Sequence, residues 1–504
     1  MTQARSYHTI LRSSSIMAAA SVINVLTGLV RMKVAAVLLG PAGVGLYGIY
    51  LNLVATAATV AALGSGAVGT RQIADARVNG TTDDIGAARR ALVWGTLALA
   101  ALGGVVFLVL RHQIARVLIA DPLRAGEVGW LALGVAITVL AGSQTAILNG
   151  LRRTGDLARL QVASGMIATV LGVTALLLWR EGGLVVLVLA GPVASFGLGH
   201  WYVARLSRIT SGPTPLHILA GQWRVMVVLG SAFMVGALVT GLGQLAVRTL
   251  VQRDLGPAAL GQFQAAWTIG TTYLTFVLAA MTTDYYPRLA ACITDRQAAC
   301  RLINEQTEVA LLLAGPVIIA LIALAPWVIR LLYTSEFMPA VDILRWQLLG
   351  DTLKLLSWPL GFVLSAAGAG KTLVATESVA ASVFVLGVAL AIPALGVLAT
   401  GVAYLAMFVV YLPLVFWLAR RRLAFAWTRA VKTRAALLLC LAVGLTGLGH
   451  VADLAAAAVG LPLAVALAAH ALARFGSLAE LSGPIGRLAD LSRKAMTCLG
   501  VKDE

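Results

Sequence analysis

The chain has 504 residues, 60% of them apolar and only 12% charged, with a formal net charge of +17 and a mean hydropathy of +0.90. A soluble domain is about 45–50% apolar and about 25% charged, so this chain has too little polar residue to coat a soluble globule. Composition excludes a cytosolic enzyme, a secreted disulfide scaffold and a disordered chain, and predicts an all-α polytopic membrane protein.

A bilayer core of about 30 Å needs roughly 20 helical residues. The first apolar run, 14–39, lacks a cleavage site and reads as a first span rather than a signal peptide. Arg31 and Lys33 lie about two thirds of the way along it. Each either snorkels to the outer interface or faces a polar cavity, and their spacing points them to different sides of the helix. Further spans are predicted at 44–68, 88–110, 128–150, 158–179 and 183–204. A basic connection leads into 225–250 and 260–282. Arg248 closes the first of these two, as an interfacial anchor or as a second cavity cation. Asp284 follows the second, as a helix-end charge or as an ion-coupling carboxylate. Spans 307–332 and 341–366 come next. The latter holds Asp351 and Lys354, three residues apart on one helix face. They either neutralise one another or line a cavity, Lys354 meeting an anion while Asp351 tunes it or couples to an ion. Spans 372–394, 397–419, 435–452 and 455–473 bring the total to about 14. Polar and aromatic residues in these runs (Gln144, Gln244, Gln264, Gln347, Trp267, Tyr273, Trp346 and Trp358 among them) suit sugar contacts if they face a cavity, and otherwise bridge helices or pack.

The basic residues orient the chain. With a cytoplasmic N-terminus, 27 of the 38 Lys and Arg fall on the inner side, eight at the outer ends and three within spans. That bias predicts both termini in the cytoplasm and assigns the positive charge to topology and anionic lipid rather than to nucleic acid.

The chain also repeats itself. LLGPAGVGLY at 38–47 resembles DLGPAALGQF at 254–263, and LRRTGDLA at 151–158 stands where GAGKTLVA stands at 368–375. IARVL at 114–118 and VIRLL at 328–332 follow in the same order. These landmarks predict two parallel six-helix repeats with two additional C-terminal helices, able to rock about a shared cavity. The expected divisions are a first bundle 1–210, a cytoplasmic linker 211–224, a second bundle 225–420, a basic loop and two helices 421–474, and a cytoplasmic tail 475–504. The stretch 485–499 is read either as a surface amphipathic helix or as an unstructured end.

Covalent chemistry has no visible site. GAGKT at 368–372 lacks the Walker glycine spacing, and the chain has no HExxH and no serine elbow. Cys292, Cys300, Cys440 and Cys498 show no metal spacing. The reading is a transporter, with no enzyme activity, metal or cofactor expected.

GLVRMKVAAVLLGPAGVGLYG at 28–48, TTYLTFVLAAMTTDYYPRLA at 271–290 and the long run from WVIRLLYTSEF to LVATES at 327–378 carry a resemblance. They resemble the Wzx-type polysaccharide flippases, the O-antigen and enterobacterial common antigen translocases. That family is similar in fold to the MATE and lipid II flippases of the multidrug/oligosaccharidyl-lipid/polysaccharide exporter superfamily. The resemblance covers about 1–425. It implies that undecaprenyl-diphosphate-linked oligosaccharide is moved from the cytoplasmic to the periplasmic leaflet of a bacterial inner membrane. It carries over Arg31 or Lys33, Gly40, Pro41, Gly43, Gly45, Asp351 and Lys354, with basic cavity residues meeting the diphosphate. Expected partners are the lipid-linked oligosaccharide, the bilayer and glycan-assembly proteins such as an O-antigen polymerase, around a monomer. The alternative is a MATE-like exporter of small drugs, which the excess of deep cations over carboxylates disfavours.

Overall fold

A computed structural model describes residues 2–206 and 215–478. All its regular elements are helical. They are α1 (Thr2–Ala62), α2 (Ser65–Asn79), α3 (Thr82–Val109), α4 (Arg111–Ile114), α5 (Ala125–Gly150), α6 (Thr154–Trp179) and α7 (Leu184–Ala204). Then come α8 (Leu216–Cys292), α9 (Arg296–Leu332), α10 (Ala340–Ala366), α11 (Gly370–Leu395), α12 (Ala399–Leu423), α13 (Arg429–Val451) and α14 (Asp453–Leu478). The region expected to hold a surface helix, 485–499, lies outside the described residues, as does 207–214 of the connection between bundles.

Nine segments among the described residues are long and apolar enough to cross a membrane. Thr154–Ala204 has 51 residues and Gly370–Leu423 has 54, more than one crossing needs, so segments and crossings do not correspond one to one. Helix α10 is not among the nine. Asp342, Arg345, Asp351 and Lys354 dilute its apolar character, and most of its other residues are buried in protein.

The sequence predicts a loop between the first two spans and another between 225–250 and 260–282. The structure has neither. Gly40 (φ 63°, ψ −167°) and Gly256 (φ 85°, ψ 176°) each break a continuous helical path at a single residue. Glycine alone adopts such angles without strain, and the proline that follows restarts the helix because its missing N–H has no partner to lose there.

Contacts divide the chain into two compact units, Met1–Gln264 with Leu332–Thr334, and Ala265–Leu331 with Ser335–Glu504. In the first unit α1 packs on α3, α5 and α6, while α5 packs on α2, α3 and α7. The two glycine breaks of this unit also meet. A Cβ on Gly45 would stand 2.6 Å from the Pro257 carbonyl oxygen, and a Cβ on Gly261 would overlap the Pro41 carbonyl oxygen. Gly45 and Gly261 lie 216 residues apart, as do Pro41 and Pro257, so the contact is reciprocal. In the second unit α10 and α11 pack on α12, and α13 joins α10 to α14.

Other left-handed breaks recur at the same spacing. Arg152 (φ 54°) corresponds to Gly368 (φ 66°), and Arg180 (φ 51°, ψ −122°) to Gly396 (φ 55°, ψ −134°). The turn at Arg152 is closed by Leu151 N–H to Ile147 O (3.0 Å) and Arg153 N–H to Leu148 O (2.9 Å). The turn at Gly368 has the same pair, Ala367 to Val363 (3.0 Å) and Ala369 to Leu364 (2.9 Å).

One buried cation of the second unit reaches both of its last two helices. Arg345, counted in sequence among the outer-end charges, is only 2% exposed. It donates to Asp453 Oδ1 (2.7 Å) and to the Gly449 carbonyl (2.9 Å), and Asp342 Oδ1 lies 3.6 Å away. A side chain at Gly449 would occupy the space of the guanidinium.

Candidate functional site

The densest polar group inside the second unit is built on α10. Asp351 is buried, yet both its oxygens are satisfied. Tyr273 of α8 donates its hydroxyl to Oδ2 (2.7 Å), and Tyr404 of α12 donates to Oδ1 (2.8 Å). Lys354 donates to the Tyr404 hydroxyl (3.4 Å) and lies 5.8 Å from the Phe408 ring centre. Asp351 and Lys354 form no direct ion pair; Tyr404 stands between them. A single phenol therefore links the cation and the carboxylate, donating to one and accepting from the other.

Small residues make this possible. A Cβ on Gly350 would stand 2.7 Å from Tyr404 Cδ1, so α10 and α12 approach closely where the phenol crosses. On α8 a Cβ at Gly270 would come within 3.7 Å of Gln347 Oε1 and 3.8 Å of Asp351 Oδ2. Trp267, Phe384 and Tyr404 pack as an aromatic cluster, with Trp267 and Phe384 stacked at 6.1 Å and Trp267 edge-on to Tyr404 at 5.6 Å. Gln347 is buried beside them, and its amide nitrogen has no protein partner. A cation, an amide donor and an aromatic wall in a low-dielectric setting are the groups that recognise phosphate and sugar.

The first unit holds the other predicted cations separately. Arg248 is 3% exposed and donates through Nε (3.3 Å) and Nη2 (3.2 Å) to Gln264 Oε1, and through Nη1 to the Gln244 carbonyl (3.2 Å). Asn52 donates to the side-chain oxygen of the same Gln244 (3.4 Å). Arg248 thus sits within the helix crossing, hydrogen-bonded to the residue that packs on Gly48. Lys33 is half-buried and donates to the Tyr333 carbonyl. Arg31 is half-buried and makes no hydrogen bond or ion pair among the described residues. The side chain of Asp284 lies outside the described residues.

Sequence reading pairs Asp351 with Lys354 but does not find Tyr404, Phe384 or Phe408. A signal for Tyr404 exists: a phenol in the middle of an apolar run requires a hydrogen-bond partner. Tyr273, read as a sugar-stacking candidate, uses its hydroxyl on Asp351. Among the described residues no group of His, Cys, Asp and Glu is arranged to hold a metal ion.

Residues 10–292 match the family described as polysaccharide biosynthesis protein. The chain is 26% identical over 425 residues to the lipid III flippase of Escherichia coli (strain K12), covering 80% of this chain and 97% of that one. The lipid III flippase of Shigella flexneri gives the same figures. Among solved structures, the lipid II flippase MurJ in an inward closed conformation superposes with a TM-score of 0.69 at 11% identity, over 90% of this chain and 98% of that one. An inward-facing multidrug resistance MATE family transporter of the MOP superfamily gives 0.67 at 16% identity, over 81% and 96%. The fold is accordingly the all-α polytopic membrane fold of those transporters.

Proposed function

The chain belongs to the polysaccharide biosynthesis protein family, and we propose that it translocates an undecaprenyl-diphosphate-linked oligosaccharide from the cytoplasmic to the periplasmic leaflet of a bacterial inner membrane. The observation that carries this reading is the match along 97% of the lipid III flippase sequence. The protein acts as a transporter, without covalent chemistry. Its working cycle is alternating access, in which each leaflet-facing state holds the headgroup and sugars while the lipid tail stays in the bilayer.

Lys354 is the leading diphosphate contact, with Arg31 and Lys33 as further cations along the path. Arg248 is read as a cation that shapes the cavity from within a helix crossing. Asp351 tunes Lys354 through Tyr404 and is the first candidate for ion coupling, with Asp284 the second. The architecture is read as two parallel six-helix repeats within 1–210 and 225–420, joined by the 211–224 linker. Two more helices lie in 421–474, for about 14 spans. The recurrence of three left-handed breaks at one spacing supports the repeats. The basic bias supports cytoplasmic termini. A monomer is sufficient, and the basic loops give glycan-assembly proteins such as a polymerase a surface to meet.

Liposomes holding only the purified protein test the reading. Labelled undecaprenyl-diphosphate oligosaccharide should cross in a protein-dependent manner. Lys354→Ala should slow crossing at least about ten-fold, the equivalent of one lost charge-assisted contact. Wild-type rates in the variant would remove Lys354 from the path. Failure of the lipid to cross, with export of small cationic drugs instead, would replace the function with the MATE-like alternative.

A further inference from the structure

The last turns of α7 and α12 carry the same device. Trp201 lies in the last turn of α7 and Arg205 caps it; Trp417 and Arg421 lie near the end of α12, each 216 residues later. In the first unit the Arg205 guanidinium carbon lies 3.5 Å from the centre of the Trp201 ring. In the second, Arg421 lies 4.0 Å from the Trp417 ring centre. Both indoles are exposed, at 45% and 46%. Neither guanidinium makes a hydrogen bond or ion pair among the described residues.

Three facts of chemistry bear on this arrangement. Indoles at the ends of apolar helices settle at the headgroup level of a bilayer. A guanidinium stacked on an indole keeps its face on the ring and its edge donors free, and that edge matches a phosphate. Stacking also restrains the long side chain, so less rotamer freedom is lost when a ligand binds. The carbonyl end of each helix repels anions, so any anion held there depends on the arginine. A charge serving only to complement the helix dipole would need neither the exposed indole nor the same spacing in both helices.

We propose that each Trp–Arg pair is a binding site for the phosphate of one anionic phospholipid of the surrounding bilayer, giving two such sites per chain. The α12 site is the stronger, because Arg420 and Arg422 flank Arg421 in the same turn. The proposal is independent of the transported cargo.

Native mass spectrometry of the full chain, released from detergent with phosphatidylglycerol and phosphatidylcholine of matched acyl chains, reads this directly. The expected result is two phosphatidylglycerol molecules retained, each preferred about five-fold over phosphatidylcholine. Arg205→Gln and Arg421→Gln should each remove one. The double variant should show parity between the two lipids, and Arg205→Lys with Arg421→Lys should retain only part of the preference, since the charge stays and the stacked fork is lost. Equal binding of both lipids by the native protein would overturn the proposal. So would full preference in the Gln double variant, or full preference in the Lys double variant, which would reduce the sites to general positive charge.

Discussion

Tyr404 is the residue on which the polar group of the second unit turns. It donates to Asp351 and accepts from Lys354, so its removal separates the carboxylate from the cation. Tyr404→Phe keeps the ring, its edge contact with Trp267 and its packing on Gly350. The buried carboxylate would lose one of two neutral donors, a cost of about 1–3 kcal/mol. We expect slower translocation with the protein still folded in detergent; a variant that translocates at the native rate would show that the link is structural only. Asp351 and Lys354 are legible because charges inside an apolar run stand out. Tyr404 gives only a partial signal: its phenol asks for a hydrogen-bond partner, but that partner lies 53 residues away. Backbone strain is a second feature that sequence hides. Arg180 holds φ 51° and ψ −122°, a region that its counterpart Gly396 occupies freely. Arg180→Gly should raise the apparent melting temperature in detergent. It relieves roughly 1–3 kcal/mol of strain against a glycine entropy cost of about 0.5–1 kcal/mol. A fall in that temperature would mean that the exposed side chain contributes more than its backbone costs.

At the level of elements, the repeated Gly-Pro-Ala was visible in sequence, but its meaning was not. Pattern reading places loops there, because Gly-Pro usually ends a helix. The structure continues the helical path through a single left-handed residue, since the proline needs no hydrogen bond in the first turn of the next segment. The crossing of α1 and α8 then depends on Gly45 and Gly261, each facing a carbonyl next to the other break. Gly45→Ala puts a methyl 2.6 Å from the Pro257 oxygen, which backbone cannot easily yield. Overpacking of this kind costs about 1–3 kcal/mol. Gly28→Ala meets nothing within 4 Å and sits in the same helix, so it serves as the control. Thermal unfolding of the two variants should differ, with Gly45→Ala clearly lower; equal melting would mean that the crossing relaxes without cost. Helix α10 carries the opposite lesson. Its length suited a span, but its four charges keep it below the apolarity of the nine candidate segments, and protein burial stabilises it instead.

For the whole molecule, the two helices beyond the repeat raise the question of how an addition is held. Sequence treated α13 and α14 as an appendage and Arg345 as one outer charge among eight, because its partners lie 104 and 108 residues further on. Folding makes that arginine the joint of the second unit. A buried cation is stabilised only while its partners stay in place, and taking one away leaves a desolvated charge. Asp453 is 43% exposed, which lowers the expected cost of Asp453→Ala to roughly 2 kcal/mol. Arg345→Leu removes the desolvated charge, at the cost of the donors to the Gly449 carbonyl and of the ion pair with Asp342. Adding it to Asp453→Ala should therefore return part of the lost stability, although Arg345→Leu alone destabilises the native chain. Thermal unfolding of the four chains gives the coupling, and limited proteolysis at 424–428, between α12 and α13, reports whether the last two helices have let go. Additive losses would mean that α13 and α14 are held by their other contacts, apolar packing and the Arg434–Glu308 pair between α13 and α9 among them. A compensating double variant would identify the Arg345–Asp453 pair as a latch that joins the two additional helices to α10, and so to the helix that carries Asp351 and Lys354.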